Sequence, residues 1–232
     1  MSNQQSTITP RLIVQLLFFI VFIPFLPLLI SWRWDWWEAW VYGILYILSF
    51  VVSRVIVARR HPDLVAERAR FMQQEDAKSW DKKLLSLMGV SGVCVMLVAG
   101  LDALLNWSPS YSLLLKISAL ILILGSYALT SYALIENRFF SGMVRLQTDR
   151  DHQVVSNGPY RWIRHPGYAG AMLTYLVTPL FLDSAWAFIP TLFTLGLYVI
   201  RTAMEDRFLK AELVGYRDYA KRVGYRLLPG IW

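Results

Sequence analysis

The chain has 232 residues, 56% hydrophobic, 15% aromatic and only 17% charged, with a formal net charge of +7 at pH 7. Soluble domains carry about 25% charged residues, so a chain this apolar, with mean hydropathy +0.43, has no means of hiding its surface in a water-borne core and reads as a polytopic membrane protein. The positive excess lies between the apolar runs, as the positive-inside bias requires, so it is not a nucleic-acid footprint; the single Cys94, in an apolar run, excludes an internal disulfide and a cysteine metal site.

Residues 1–10 are polar and end in Pro10. The first apolar run, Leu12–Ile30, is long enough to span a bilayer. It lacks the charged start and small-residue cleavage site of a removable signal peptide. Pro24 and Pro27 predict a kink in its second half. Ser31–Trp37, SWRWDWW, is an interfacial turn, since tryptophan collects at head-group depth. A second span follows over Glu38–Ala58, with Arg54 able to snorkel toward Arg59 and Arg60. The polar segment His61–Lys83 predicts a short surface helix with Leu64, Val65, Ala69 and Phe71–Met72 toward the membrane. His61-Pro62 is read as a helix-start device in preference to a ligand. The third and fourth spans are Leu84–Leu105 and Leu113–Ile135, joined by the turn NWSPSY. Asp102 and Lys116 flank that turn and are expected to bridge the two helix ends as a pair.

Glu136–Arg164 mixes Phe139, Phe140, Met143 and Leu146 with Arg138 and Arg145, which suits an interfacial amphipathic stretch. Gly158-Pro159 reads as a turn and His165-Pro166 as a helix entrance, because proline suits a first turn. Tyr168 lies just inside. Apolar sequence then runs over Tyr168–Leu182, is interrupted at Asp183-Ser184 and resumes to Ile200. That predicts a tight hairpin of two thin or tilted spans, with a shallow re-entrant hairpin as the alternative. In the polar tail, Leu209, Leu213, Tyr216, Ala220 and Val223 form a one-sided stripe that predicts an amphipathic C-terminal helix, broken at Gly215. The expected architecture is therefore an all-α, polytopic membrane helical bundle of about six spans. Residues 1–135 form a four-span region and residues 136–232 the region that carries the chemistry. Its basic segments place that chemistry on the cytoplasmic face.

Three groups converge there: His152 to Tyr160, His165 to Tyr168, and Arg201 with Glu205. A helix entrance offers free backbone N–H groups and a positive dipole end, suited to a carboxylate or phosphate. The same residues also fit a juxtamembrane linker whose arginines meet lipid head groups, and residue chemistry alone leaves both readings open. Arg201 and Glu205, four apart, share a helix face; on spacing alone an ordinary ion pair is the favoured reading.

GPYRWIRHPGYAG, followed by a hairpin, R-x-x-x-E, G-Y-R-D-Y-A-K-R-V and a Leu-Pro close, resembles the isoprenylcysteine carboxyl methyltransferase family over about residues 136–230. It is also similar to the related phospholipid N-methyltransferases. The resemblance implies an integral membrane enzyme that uses S-adenosylmethionine to methylate a lipidic acceptor, foremost the carboxylate of a prenylated cysteine or a similar isoprenoid-like substrate. It implies cofactor contacts at His152, Gln153, Val154, Val155, Tyr160, His165, Pro166, Gly167 and Tyr168. It puts Arg201 and Glu205 near the reacting groups, with Glu205 also able to meet the cofactor ammonium. The expected partners are the acceptor and membrane lipid, with no nucleic acid and no metal. A carboxylate acceptor would suit Arg201 as a bidentate clamp; an amine would need His165 or Glu205 as a base. No G-x-G-x-x-G follows a strand, so a soluble Rossmann site is not on offer. The competing readings are a phospholipid N-methyltransferase, an NADPH-dependent sterol-type reductase, whose C-terminal region shows a similar His-Pro-x-Tyr-x-Gly, and a non-enzymatic scaffold or transporter.

Overall fold

The computed structural model describes residues 18–69, 74 and 76–232, whose regular elements are all helical. The first apolar run enters as a π-helical turn, Phe18–Phe22, and a 3-10 turn, Ile23–Phe25, before settling into helix α1, Leu26–Ser31. Pro24 and Pro27 sit where the helix type changes, as their missing N–H groups require. The start of the expected span Leu12–Ile30 lies outside the described residues. α2, Trp37–Arg60, follows a turn in which Trp32 takes a left-handed φ of 55°; it carries Glu38 in its first turn and Arg59 and Arg60 in its last, each complementing the dipole. α3 is the short helix Pro62–Ala69. α4, Ser79–Leu105, ends at the left-handed Asn106, a common helix stop. α5, Leu113–Glu136, is capped by the Ser112 hydroxyl, which accepts from the Leu115 N–H at 3.3 Å. α6, Pro166–Phe181, and α7, Phe188–Glu212, make the hairpin; α8, Tyr216–Arg222, closes the chain.

Three helices among the described residues, α2, α4 and α5, are long and apolar enough to cross a membrane. At 1.5 Å per residue, a 24-residue helix reaches about 36 Å, against a hydrocarbon core of about 30 Å. Their outward faces carry Leu48, Val52, Val90, Leu114 and Ile121, all exposed, as lipid contact demands. The chain is thus a multi-pass α-helical membrane bundle. The six expected spans are not all met by this measure. α6 has 16 residues, and α7 becomes charged over its last third.

The core runs through Leu28 of α1, Ala39 of α2, Val95 and Ala99 of α4, Ile123 of α5 and Phe181 of α6. Small residues set the helix spacing, as in other membrane bundles. A methyl group on Gly170 of α6 would fall 2.8 Å from the Ser126 carbonyl of α5 and 2.3 Å from the Thr130 hydroxyl.

Several expectations change. Leu64 of α3 is fully buried against Val57 and Leu134, so it faces the bundle and not lipid, while Val65 stays exposed. Phe71–Met72 lie outside the described residues. His61 precedes the helix as expected, and its Nε2 lies 3.0 Å from the Ile135 carbonyl, tying α3 to the end of α5. Asp102 and Lys116 do not pair. Asp102 accepts from Ser108 and Ser184, while Lys116 reaches Glu38 and Asp183 at 2.5 Å each. The α4–α5 turn is therefore tied to the α6–α7 turn and to α2, which needs all four acids and bases in one knot. The tail is not one amphipathic helix. α7 runs 12 residues past Ile200, through Arg201 and Glu205 to Glu212; Gly215 then turns the chain at φ 81°, a value open to glycine, into α8. Its stripe packs on Tyr160, Val154 and Val155.

Candidate active site

The ends of α2, α5 and α7 and the starts of α4 and α6 share one face. Between them the segment 137–165 lies as irregular chain, fixed by side chains that answer its backbone groups. Asn137, just past α5, accepts from the Phe139 N–H at 2.8 Å and donates to the Tyr160 hydroxyl at 3.2 Å. Gln147, buried, donates to the Phe139 carbonyl at 2.7 Å. Arg145 binds Glu67 of α3 through both oxygens, at 2.8 and 3.0 Å, and also meets Asp76 and Asp149. These three carboxylates hold its guanidinium above the usual arginine range, with Glu67 the largest cause.

Beneath this segment lies a cleft of about 770 Å³ of non-atom space, part of it open to solvent. Of the eleven residues singled out in the sequence, ten line it: His152, Gln153, Val154, Val155, Tyr160, His165, Gly167, Tyr168, Arg201 and Glu205. Pro166 does not; it is buried behind the wall as the first residue of α6.

His152 lies tilted against Phe139, ring centres 4.7 Å apart, and its Nδ1 accepts from the Gln147 N–H at 3.3 Å. That bond requires Nδ1 without a proton. Burial, then Arg145 and Arg150, push His152 down to about 4, so it is neutral at physiological pH. Burial likewise raises the Tyr160 hydroxyl well above its usual range, keeping it a neutral donor. The Tyr160 carbonyl receives the Tyr219 hydroxyl at 2.8 Å, so α8 closes this wall.

His165 and Tyr168 stack in parallel at 5.7 Å. The entrance of α6 is less open than its sequence suggests. The His165 carbonyl takes the N–H groups of both Tyr168 and Ala169 at 3.1 Å, which leaves Gly167 to supply a first-turn donor to the cleft. Among the described residues the buried His165 Nε2 has no hydrogen-bond partner; Asp206 stands 3.7 Å away, beyond hydrogen-bond range.

Arg201 and Glu205 do not form the expected ion pair. Arg201 donates to both oxygens of Asp81 at 2.7 and 3.1 Å and to the Gly142 carbonyl at 3.2 Å, with its guanidinium 5.1 Å from the Tyr168 ring centre. Glu205 accepts instead from the Tyr168 hydroxyl at 2.6 Å. An i,i+4 pair exposed to water is worth only tenths of a kcal/mol, whereas Arg201–Asp81 is buried and Glu205–Tyr168 half-buried.

Two acids escaped the sequence reading. Asp81, fully buried in the first turn of α4, holds Arg201 and accepts from the Val144 N–H at 2.7 Å. Sitting among lysines at a span's edge, it carries no signal of a partner 120 positions away. Asp206 receives Arg164 at 2.7 Å, Arg226 at 3.0 Å, Lys210 at 2.9 Å and Tyr216 at 3.1 Å. Its adjacency to Glu205 was a usable signal: two neighbouring acids on one helix must face different ways, and one faces inward beneath the site. Among the described residues no group of three or more His, Cys, Asp or Glu side chains is placed to hold a metal.

Fold and site together define a multi-pass membrane protein with one polar, aromatic-lined cleft where its helices end. The model of the isoprenylcysteine carboxyl methyltransferase family matches residues 118–211, which span α5 to the end of α7. The protein-S-isoprenylcysteine O-methyltransferase of Schizosaccharomyces pombe is 30% identical over 186 residues, covering 69% of this chain and 76% of that enzyme. That of Saccharomyces cerevisiae is 30% identical over 118 residues, 47% of this chain and 49% of that enzyme. A probable enzyme of the same name from Oryza sativa subsp. indica is 23% identical over 119 residues, 50% of this chain and 60% of its own length. The chain belongs to the isoprenylcysteine carboxyl methyltransferase family.

Proposed function

We propose that this protein is a membrane-embedded S-adenosylmethionine-dependent methyltransferase whose acceptor is the carboxylate of a prenylated cysteine or a similar isoprenoid-like acid. The observation that carries the reading is the convergence of the family's motif residues on one cleft at the helix ends. The residues present fit the cofactor. The unpartnered buried Nε2 of His165, the Gly167 N–H and the Glu205 carboxylate offer polar partners of both signs for an amino-acid moiety. The rings of Tyr160, Tyr168, Tyr216 and Tyr219 suit a sulfonium and a purine. Val154, Val155, Leu209 and Leu213 supply an apolar floor. When bound, S-adenosylmethionine supplies an activated methyl group. The protein's own contribution is alignment and exclusion of water, which suits a transfer governed by positioning. Glu205, oriented by the Tyr168 hydroxyl, binds on the cofactor side; Arg201, locked by Asp81, fixes the electrostatics where acceptor and cofactor meet.

In this reading the hairpin α6–α7 also crosses the bilayer, supported by exposed Ile189, Leu192, Phe193 and Ile200 along α7. The first apolar run completes six spans. The basic helix ends Arg59–Arg60 and Lys82–Lys83 and the basic segment Arg138–Arg164 put the cleft on the cytoplasmic face. Residues 1–135 scaffold the site and residues 136–232 carry most of its wall.

The test is binding and transfer by the purified protein in lipid nanodiscs. S-adenosylhomocysteine should bind by calorimetry, and labelled methyl should pass from the cofactor to farnesylcysteine. Binding of NADPH in place of S-adenosylhomocysteine, or transfer only to phospholipid amines, would overturn it.

A further inference from the structure

Asp81 is fully buried and does not line the cleft, yet it binds two of the cleft's parts at once. It lies in the first turn of α4, where the positive end of the helix dipole favours a carboxylate. Its Oδ1 accepts from Arg201 Nε at 2.7 Å and its Oδ2 from Arg201 Nη2 at 3.1 Å. The same Oδ2 accepts from the Val144 N–H at 2.7 Å. Arg201 belongs to the wall of the cleft and Val144 to the segment that roofs it, and both line it. Asp81 also lies outside residues 118–211, which the family model matches.

Further contacts pin the roof around this carboxylate. The Val144 carbonyl accepts from the Lys78 N–H at 3.1 Å, three positions before Asp81. The Gly142 carbonyl accepts from Arg201 Nη2 at 3.2 Å. Arg145, next to Val144, is gripped by both oxygens of Glu67 of α3. Residues 142–145 are thus held by α3, by α7 and by the start of α4, and Asp81 is the carboxylate that joins roof to wall. It also takes up the fork of Arg201. With Nε and Nη2 on Asp81, Nη1 is left without a hydrogen bond among the described residues. Arg201 therefore brings one free terminal nitrogen to the cleft, and Asp81 sets where it stands.

We propose that Asp81 is a positioning residue for methyl transfer: it holds the Arg201 guanidinium and the roof backbone at Val144 in one register. The role presupposes the methyltransferase reading and adds to it a residue of α4. A transfer governed by alignment is sensitive to small displacements, and a misplacement of about 1 Å can cost about 100-fold in rate. Without the charge of Asp81, Arg201 is a buried cation with no fixed counter-charge, and nothing holds its fork in plane.

The test is turnover counted per S-adenosylhomocysteine-binding site in nanodiscs, with farnesylcysteine as acceptor, so that loss of folded protein cancels. Asp81→Asn keeps an oxygen for the Val144 N–H but removes the charge that faces Arg201. Turnover per site should fall on the order of tenfold or more, as for a lost charged hydrogen bond, with cofactor affinity within a few-fold of the parent. Asp81→Glu keeps the buried pair, and with it the fold, but moves the fork by one methylene group. Turnover per site should fall several-fold, again at parent-like cofactor affinity. Added to Arg201→Lys, Asp81→Asn should cost little more, because the two side chains act as one unit. A merely structural Asp81 would lower the number of binding sites and not the turnover of each. Parent-like turnover per site in both single variants overturns the positioning role and leaves the methyltransferase reading standing. So do losses that multiply in the double variant. A parent that binds S-adenosylhomocysteine without passing methyl to farnesylcysteine contradicts the prenylcysteine reading, and the positioning role falls with it.

Discussion

The two ends of the bundle use the same residue types to opposite effect. At the far end, Lys116 lies between Glu38 and Asp183; Asp183 also accepts from the Tyr111 N–H, and Asp102 from Ser108 and Ser184. The charges in that knot are answered within the protein, and its effect is to lock the α4–α5 and α6–α7 turns together. At the cleft end, Asp81–Arg201 and the Asp206 hub are equally well paired, but near them His165 Nε2 and Arg54 Nη1 have no hydrogen-bond partner among the described residues, and neither does Thr191 Oγ1 at the far end. Buried polar groups are nearly always satisfied. Closed networks mark the scaffold, and an open valence that also lines the cleft, as His165 Nε2 does, marks where a ligand is to be met.

The contrast breaks most visibly at Lys116. Lys116→Met strands Glu38 and Asp183 together, and removing one partner of a buried pair costs about 3–5 kcal/mol. A large fall in thermal stability is expected, with S-adenosylhomocysteine affinity of the folded fraction unchanged. Reduced affinity at full stability would show that the far end is not merely scaffold.

Arg201→Lys keeps the charge but loses the fork on Asp81. Turnover with saturating cofactor should fall on the order of 100-fold, or about 2.7 kcal/mol, with cofactor affinity within a few-fold of the parent. Glu205→Gln should show the reverse emphasis, weakening cofactor more than turnover. Steady-state kinetics and calorimetry on both variants check this; near-normal turnover in Arg201→Lys would return it to a structural role.

Tyr168→Phe keeps the ring and removes only the hydroxyl that binds Glu205 at 2.6 Å. A charged hydrogen bond contributes about 1.5–3 kcal/mol, so cofactor affinity should drop roughly tenfold or more. Equal affinity would mean that Glu205 needs no orientation.

The smallest effect is a pH dependence. His152 is held neutral, its value lowered from 6.5 to about 4. The unfolded chain takes up that proton first, so the contribution to stability is full above about 6.5 and is lost as pH falls toward about 4. Melting temperature should therefore decline over that window, and His152→Gln should flatten the decline. A decline of the same size in the variant would assign it to other groups.

Much of this contrast was legible in the sequence. Apolar runs located α2, α4 and α5 because lipid imposes length and composition on a span. The dense motif from His152 to Tyr168 is local, so its residues converge through short chain segments. What escaped depends on distant partners. Asp81 meets Arg201 across 120 positions, and Lys116 meets Glu38 across 78. The expected Asp102–Lys116 and Arg201–Glu205 pairs rested on sequence proximity, and in each case a stronger buried partner from another helix prevailed. The tail stripe was legible as one-sided and broken at Gly215, but its partner was not: it packs on Tyr160, because α7 continues far enough to carry it there.

The central claim is that the open cleft, and not the closed knot, holds the cofactor. Titration of S-adenosylhomocysteine into the nanodisc-embedded protein, its Tyr168→Ala variant and its Lys116→Met variant tests it most directly. The account predicts single-site binding by the parent, an affinity at least tenfold weaker in Tyr168→Ala, from the lost ring and the freed Glu205, and parent-like affinity in the folded fraction of Lys116→Met. Undiminished binding by well-folded Tyr168→Ala would contradict it.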